Sequence, residues 1–312
     1  MIEIGSIVFK QVLIMFIFIE IGRYSCKKSI LTEEATRVYS NLLLTIVAPA
    51  LLIDVYQKKL IKDQLFGLMI SFILAILFHI FAIIITNIFI KKRENENYKI
   101  ERVGAIYSNC GFMAFPILYA TLGEIGAFYG TAFAGIFNVF FWTNGVMTLS
   151  KKGSLSLKKI LINPGTMGFL IGIILYLTQI HLPSFIGESI SLLASINTPL
   201  AMIIIGVFLA KIEIKELFND FNIYRAAIFR TIVLPLVMIF IIKIIGVTSW
   251  FGDGEIVAIT TVIACACPSA ASTILFVSKM DLDSKYGAKI VAMSTIFSLF
   301  TMPMLTLIMK IL

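Results

Sequence analysis

The sequence predicts an all-α polytopic membrane protein of ten transmembrane helices, built as two inverted five-helix repeats with helices 4 and 9 broken and crossing. Three observations predict it. The 312-residue chain is 59% hydrophobic and 14% charged, with a mean hydropathy of +0.98. Soluble domains hold roughly 45–50% apolar residues, and a soluble chain of this length needs more polar surface. Apolar segments of about 20 residues recur from end to end, each long enough to cross roughly 30 Å of hydrocarbon. Finally, proline-bearing motifs of the first half return in the same order in the second.

The first apolar run, Ile4 to Ile21, has no basic stretch before it and no small-residue cleavage site after it. It reads as a retained helix, not a signal peptide. The ten spans lie at roughly 5–25, 34–56, 64–90, 101–122, 125–149, 159–180, 184–210, 223–247, 254–278 and 284–310. Connections are short; the longest polar ones run Lys91 to Lys99 and Lys151 to Lys158.

With the N-terminus outside, nineteen basic residues fall in the cytoplasmic connections. They lie between Arg23 and Arg37, Lys91 and Arg102, Lys151 and Lys159, Lys211 and Arg225, and Lys279 and Lys289. The outer side keeps four: Lys58, Lys59, Lys62 and Lys310. That asymmetry places both termini on the non-cytoplasmic side of a cell (inner) membrane. Lys10, Arg230 and Lys243 lie within spans, near enough to an end to snorkel. The net charge of +8 is thus spent on topology signals, which excludes a continuous nucleic-acid surface.

Residues 1–150 form the first five-helix repeat and 151–312 the second. Leu42 to Pro49 in helix 2 compares with Leu192 to Pro199 in helix 7, Pro116 with Pro268, and Tyr129-Gly130 with Tyr286-Gly287. An odd number of helices per half makes the second run opposite to the first.

Candidate chemistry centres on Tyr107 to Pro116, where a polar pair, a glycine and a proline interrupt an apolar segment. Proline removes a backbone donor and clashes with the preceding turn. In a bilayer, broken backbone survives only where protein or a watery cavity satisfies it. Two readings stay open: a proline kink with Asn109 as interhelical glue, or a binding site. In the second, half-helices after Pro116 and Pro268 aim their positive N-terminal ends at a crossing, favouring an anion without a buried lysine or arginine. Asn109, Gly111, Asn138, Ser269, Ser272 and Thr295 supply the surrounding donors and close approach.

Acidic residues are absent from the central parts of helices 4, 5, 9 and 10, which weakens an ion-coupled reading. His79, mid-helix, titrates near neutral pH and is the coupling candidate for a proton; a neutral, hydrogen-bonded histidine is the competing reading. Cys110, Cys265 and Cys267 have no histidine or second close pair beside them, so neither a metal nor another cofactor is expected. No His-Glu-x-x-His motif, paired intramembrane acids or serine with a positioned base is present, and no catalytic residue is assigned.

Ser108-Asn109-Cys110-Gly111-Phe112 with Pro116, then Ile136-Phe137-Asn138-Val139 with Trp142 and Gly145, resembles the signature of the auxin efflux carrier family. Thr198-Pro199-Leu200, Ala266-Cys267-Pro268 and Ser294-Thr295 to Pro303 are similar to its second half. The resemblance implies the bile acid–sodium symporter-like fold. It implies a scaffold of helices 1, 2, 6 and 7 that forms a homodimer, and a moving transport domain of helices 3–5 and 8–10. It also implies a carrier of small carboxylates, with the short linker pointing to the compact bacterial branch.

The combined expectation is a secondary transporter moving a small organic anion, such as a mono- or dicarboxylate, by alternating access. The alternatives are a symporter coupled to H+ or Na+, and an ion channel.

Overall fold

The computed structural model describes residues 2–150, 162–210, 212–217 and 220–311. The expected linker Lys151 to Lys158, Lys159 and Lys211 lie outside them.

The principal elements are α1 (Glu3–Lys27), α2 (Glu34–Val55), α3 (Lys62–Phe89), α4 (Asn97–Ile106), α5 (Cys110–Leu149) and α6 (Pro164–Thr178). They continue with α7 (Ser184–Leu209), α8 (Phe221–Ile245), α9 (Gly254–Ala266), α10 (Ser272–Lys279) and α11 (Ser284–Ile311).

The described residues do not hold the ten membrane-spanning helices in two inverted repeats that the sequence predicts. Among the described residues seven helices are long and apolar enough to cross a membrane: α1, α2, α3, α5, α7, α8 and α11. Two apolar helices, α6 and α9, are shorter, at 15 and 13 residues. The physical reason is length. At about 1.5 Å per residue a 13-residue helix reaches about 20 Å, well short of roughly 30 Å of hydrocarbon. The backbone breaks cut expected helices 4 and 9 into such pieces, and expected helices 4 and 5 share one 40-residue segment. Within that segment Gly123 adopts φ 67° and ψ −158°, a conformation open almost only to glycine, and turns the chain.

Pro116 acts more gently than expected, and two other prolines share its setting. Pro49, Pro116 and Pro235 each stand in the first turn of an α-helix that follows a widened, π-helical turn: Leu43–Val47, Cys110–Ala114 and Phe229–Val233. A proline ring clashes with the carbonyl four residues back, and widening the preceding turn relieves the clash without ending the helix. Pro116 therefore widens a turn, and the break lies upstream at Tyr107 to Asn109.

In the fold α1 lies on α7 and α11, α2 on α6 and α7, α3 on α5, and α9 on α5 and α11. Without water between helices to expel, close van der Waals approach holds such a bundle together. Gly22 and Gly206 show how close α1 and α7 come. A methyl on Gly206 would lie 2.0 Å from the Ile19 carbonyl oxygen, and one on Gly22 2.1 Å from that of Ile203.

Candidate functional site

The breaks in α4–α5 and α9–α10 meet. Asn109 N–H donates to the Pro268 carbonyl at 2.7 Å, and Ala270 N–H to the Tyr107 carbonyl at 2.9 Å, forming an isolated antiparallel bridge between Ser108 and Ser269. Extended backbone inside a membrane protein needs partners, and here each break supplies the other's.

The carbonyls freed near Pro116 are also met. Pro116 has no N–H for the Phe112 carbonyl, and Thr198 Oγ1 donates to that oxygen at 2.8 Å instead. Asn197 Nδ2 donates to the Gly111 carbonyl at 3.0 Å. The Asn197-Thr198-Pro199 stretch of α7 thus grips the widened turn from the side.

A cavity of about 200 Å³ opens beside the crossing. Its walls come from α2 and the start of α6 on one side, and from α5, the 270–272 turn and α10 on the other. Asn109 and Ser108 are both buried and both line it, and Asn109 Nδ2 has no hydrogen-bond partner. Asn138, Gly111 and Ser272 also line it, with Ser272 opening α10 and Lys279 closing it. Among the described lining residues Lys279 is the one charge, and no carboxylate is present. Phe137, Phe141, Trp142 and Phe276 make the wall largely aromatic. Asn41, Leu44, Phe276 and Lys279 are shared with a wider vestibule of about 780 Å³, rimmed by Arg37, Lys279 and Lys285 against Asp281.

The other surroundings of the residues singled out in the sequence are as follows. Ser269, fully buried, donates from Oγ to the Gly104 carbonyl at 2.7 Å and takes its own N–H to Ser294 Oγ at 3.0 Å. Thr295 Oγ1 donates to the Val291 carbonyl at 2.7 Å, and Asn138 Nδ2 to that of Ala134 at 2.9 Å. Pro116 and Pro268 line neither cavity; Pro268 lies at the bridge itself. A methyl on Gly111 meets nothing within 4 Å, so this glycine faces open space rather than a tight helix contact. His79 is fully enclosed, lines neither cavity, and stacks on Phe140 at 5.1 Å between centroids. Its Nδ1 donates to the Ala75 carbonyl at 2.8 Å.

Sequence reasoning missed two buried ionic groups. Arg230 does not snorkel: it is fully buried, with its guanidinium on the carbonyls of Ala105, Ile106 and Cys265. Its basic neighbours gave no signal; the signal lay in Pro235, whose widened turn Phe229–Val233 carries it. Glu101, also fully buried, is held by Arg93, by Arg225 at 2.8 Å and by Tyr286 Oη at 2.9 Å, joining α4, α8 and α11.

Seven membrane-length helices make this a multi-pass membrane protein of the lipid bilayer, with buried, paired backbone breaks and a cavity beside them. The chain matches the family described as membrane transport protein over residues 7–158 and 151–306, and so belongs to that family, the auxin efflux carriers. Its members are transporters, not enzymes. The chain is also 23% identical over 305 residues to an "uncharacterized transporter" of Methanocaldococcus jannaschii, covering 92% of this chain and 94% of that one.

Proposed function

We propose that this secondary transporter moves a small organic anion, of the mono- or dicarboxylate class, by alternating access through the cavity beside Asn109. One observation carries the reading: a buried donor, Asn109 Nδ2, stands unpartnered in a cavity lined by a lysine and no described carboxylate. An unsatisfied buried polar group costs about 1–3 kcal/mol, which a bound carboxylate would recover. The N-terminal ends of α5 and α10, at Cys110 and Ser272, add partial positive charge on the same side.

The cavity's walls suggest the moving parts. α1, α2, α6 and α7 act as a scaffold, through which two copies pair, while α3–α5 and α8–α11 carry the crossing past it. Arg37, Lys279 and Lys285 come from connections rich in basic residues, the sign of the cytoplasmic side, so the vestibule opens to the cytoplasm. Asn109 binds the carboxylate, Asn138 and Ser272 line its path, and Gly111 leaves room for it. Pro268, Ser269 and Thr295 shape the site without touching substrate, and Pro116 shapes α5.

At about 100 mV, inside negative, a monoanion gains roughly 2.3 kcal/mol on leaving the cell, so the membrane potential alone drives export. The test is counterflow in liposomes with a panel of carboxylates and their neutral amides. Saturable exchange of a carboxylate that its amide does not compete supports the reading. Single-channel currents without exchange, or a strict sodium requirement, contradict it.

A further inference from the structure

α4 and α9 both end at the crossing, and their last carbonyls lack helical partners. A helix C-terminus carries about half a negative charge, so the two ends together amount to about one. A single side chain meets both. Arg230 Nη1 donates to the carbonyls of Ala105 at 3.1 Å and Ile106 at 2.6 Å, and Nη2 donates to that of Cys265. Its guanidinium carbon stands 5.2 Å from the centre of the Phe78 ring. Among the described residues no carboxylate lies within ion-pair distance of it. A buried charge must be compensated, and here carbonyl dipoles and an aromatic face do so.

We propose that Arg230 is a tethered cation filling a carbonyl-lined cation site at the crossing, and that a free guanidinium-class cation takes the same site when the side chain is removed. Arg230 is a positioning residue. It ties both half-helices together and cancels their negative ends, leaving the positive ends at Cys110 and Ser272 to face the cavity. That last consequence rests on the proposed anion reading; occupation of the carbonyl site does not.

The experiment compares wild type with Arg230→Ala and Arg230→Gln in detergent, following thermal unfolding with methylguanidinium chloride or sodium chloride added. Arg230→Ala is expected to melt below wild type. Low-millimolar methylguanidinium should restore at least half of the lost melting temperature and leave wild type unmoved. No recovery, or equal recovery in sodium chloride, overturns the proposal. If Arg230→Ala does not fold, Arg230→Gln, neutral but still a donor, is titrated under the same criteria. Because no organic anion is present, recovery here together with absent carboxylate exchange in wild type would leave the cation site standing and reject the anion reading.

Discussion

Asn109 does two jobs with different atoms. Its backbone N–H closes the bridge to Pro268, and its side-chain Nδ2 is left for the cavity. Replacing Asn109 by alanine keeps the first and removes the second. A hydrogen bond to a charged group contributes about 1.5–3 kcal/mol, so Asn109→Ala should weaken substrate binding about 10- to 100-fold with a melting temperature no lower than that of wild type. Thermal-shift titration with the exchanged carboxylate measures this; undiminished affinity would remove Asn109 from the site. Thr198 is the reverse case, structural rather than ligand-facing. Thr198→Val leaves the Phe112 carbonyl without its donor and should cost about 1–3 kcal/mol of stability, read as a lowered unfolding temperature. The sequence marked Asn109 because a polar residue in an apolar run is conspicuous. It did not mark Arg230 as central, because distance from a helix end along the chain says nothing about which helices surround it.

At the scale of elements, the prolines teach the clearest lesson. Pro116 reads in sequence as the break, since proline forbids one helical hydrogen bond. A widened turn accommodates it, and α7 supplies the missing donor from a distant part of the chain. The actual break, Tyr107 to Asn109, carries no proline and is stabilised by pairing with residues 268–270, a contact between distant segments that local pattern does not encode. Helix contacts made by glycine are similarly invisible to hydropathy. Gly206→Ala places a methyl against the Ile19 backbone, where only a shift of α1 from α7 gives relief. Overpacking of this kind costs about 1–3 kcal/mol, and Gly206→Ala should unfold earlier in a thermal melt. An unchanged melt would mean that α1 and α7 are more loosely joined than their contact distances state.

For the whole molecule, composition revealed a multi-pass membrane protein and the signature residues from Ser108 to Gly145 led to its family, whereas the count of ten spans failed. Counting apolar length treats a segment as one rod, and the breaks that make the site are what shorten the rods. The basic rim of the vestibule belongs to this scale as well. Lys285 is paired with Glu216 at 2.9 Å, which leaves Arg37 and Lys279 against Asp281, and such a rim favours anions at the entrance. Lys279→Glu should lower the initial rate of carboxylate uptake from the vestibule side about tenfold and flatten its dependence on ionic strength. An unchanged rate and salt dependence would show that substrate enters elsewhere.

The cavity beside Asn109 is proposed to bind an organic anion for transport. Carboxylate counterflow in liposomes, compared between wild type and Asn109→Ala at matched reconstitution, tests it most directly. Saturable exchange is expected in wild type, resistant to the neutral amide, and the variant should lose it at substrate concentrations that half-saturate wild type. Undiminished exchange in Asn109→Ala, or equal competition by the amide, would contradict it.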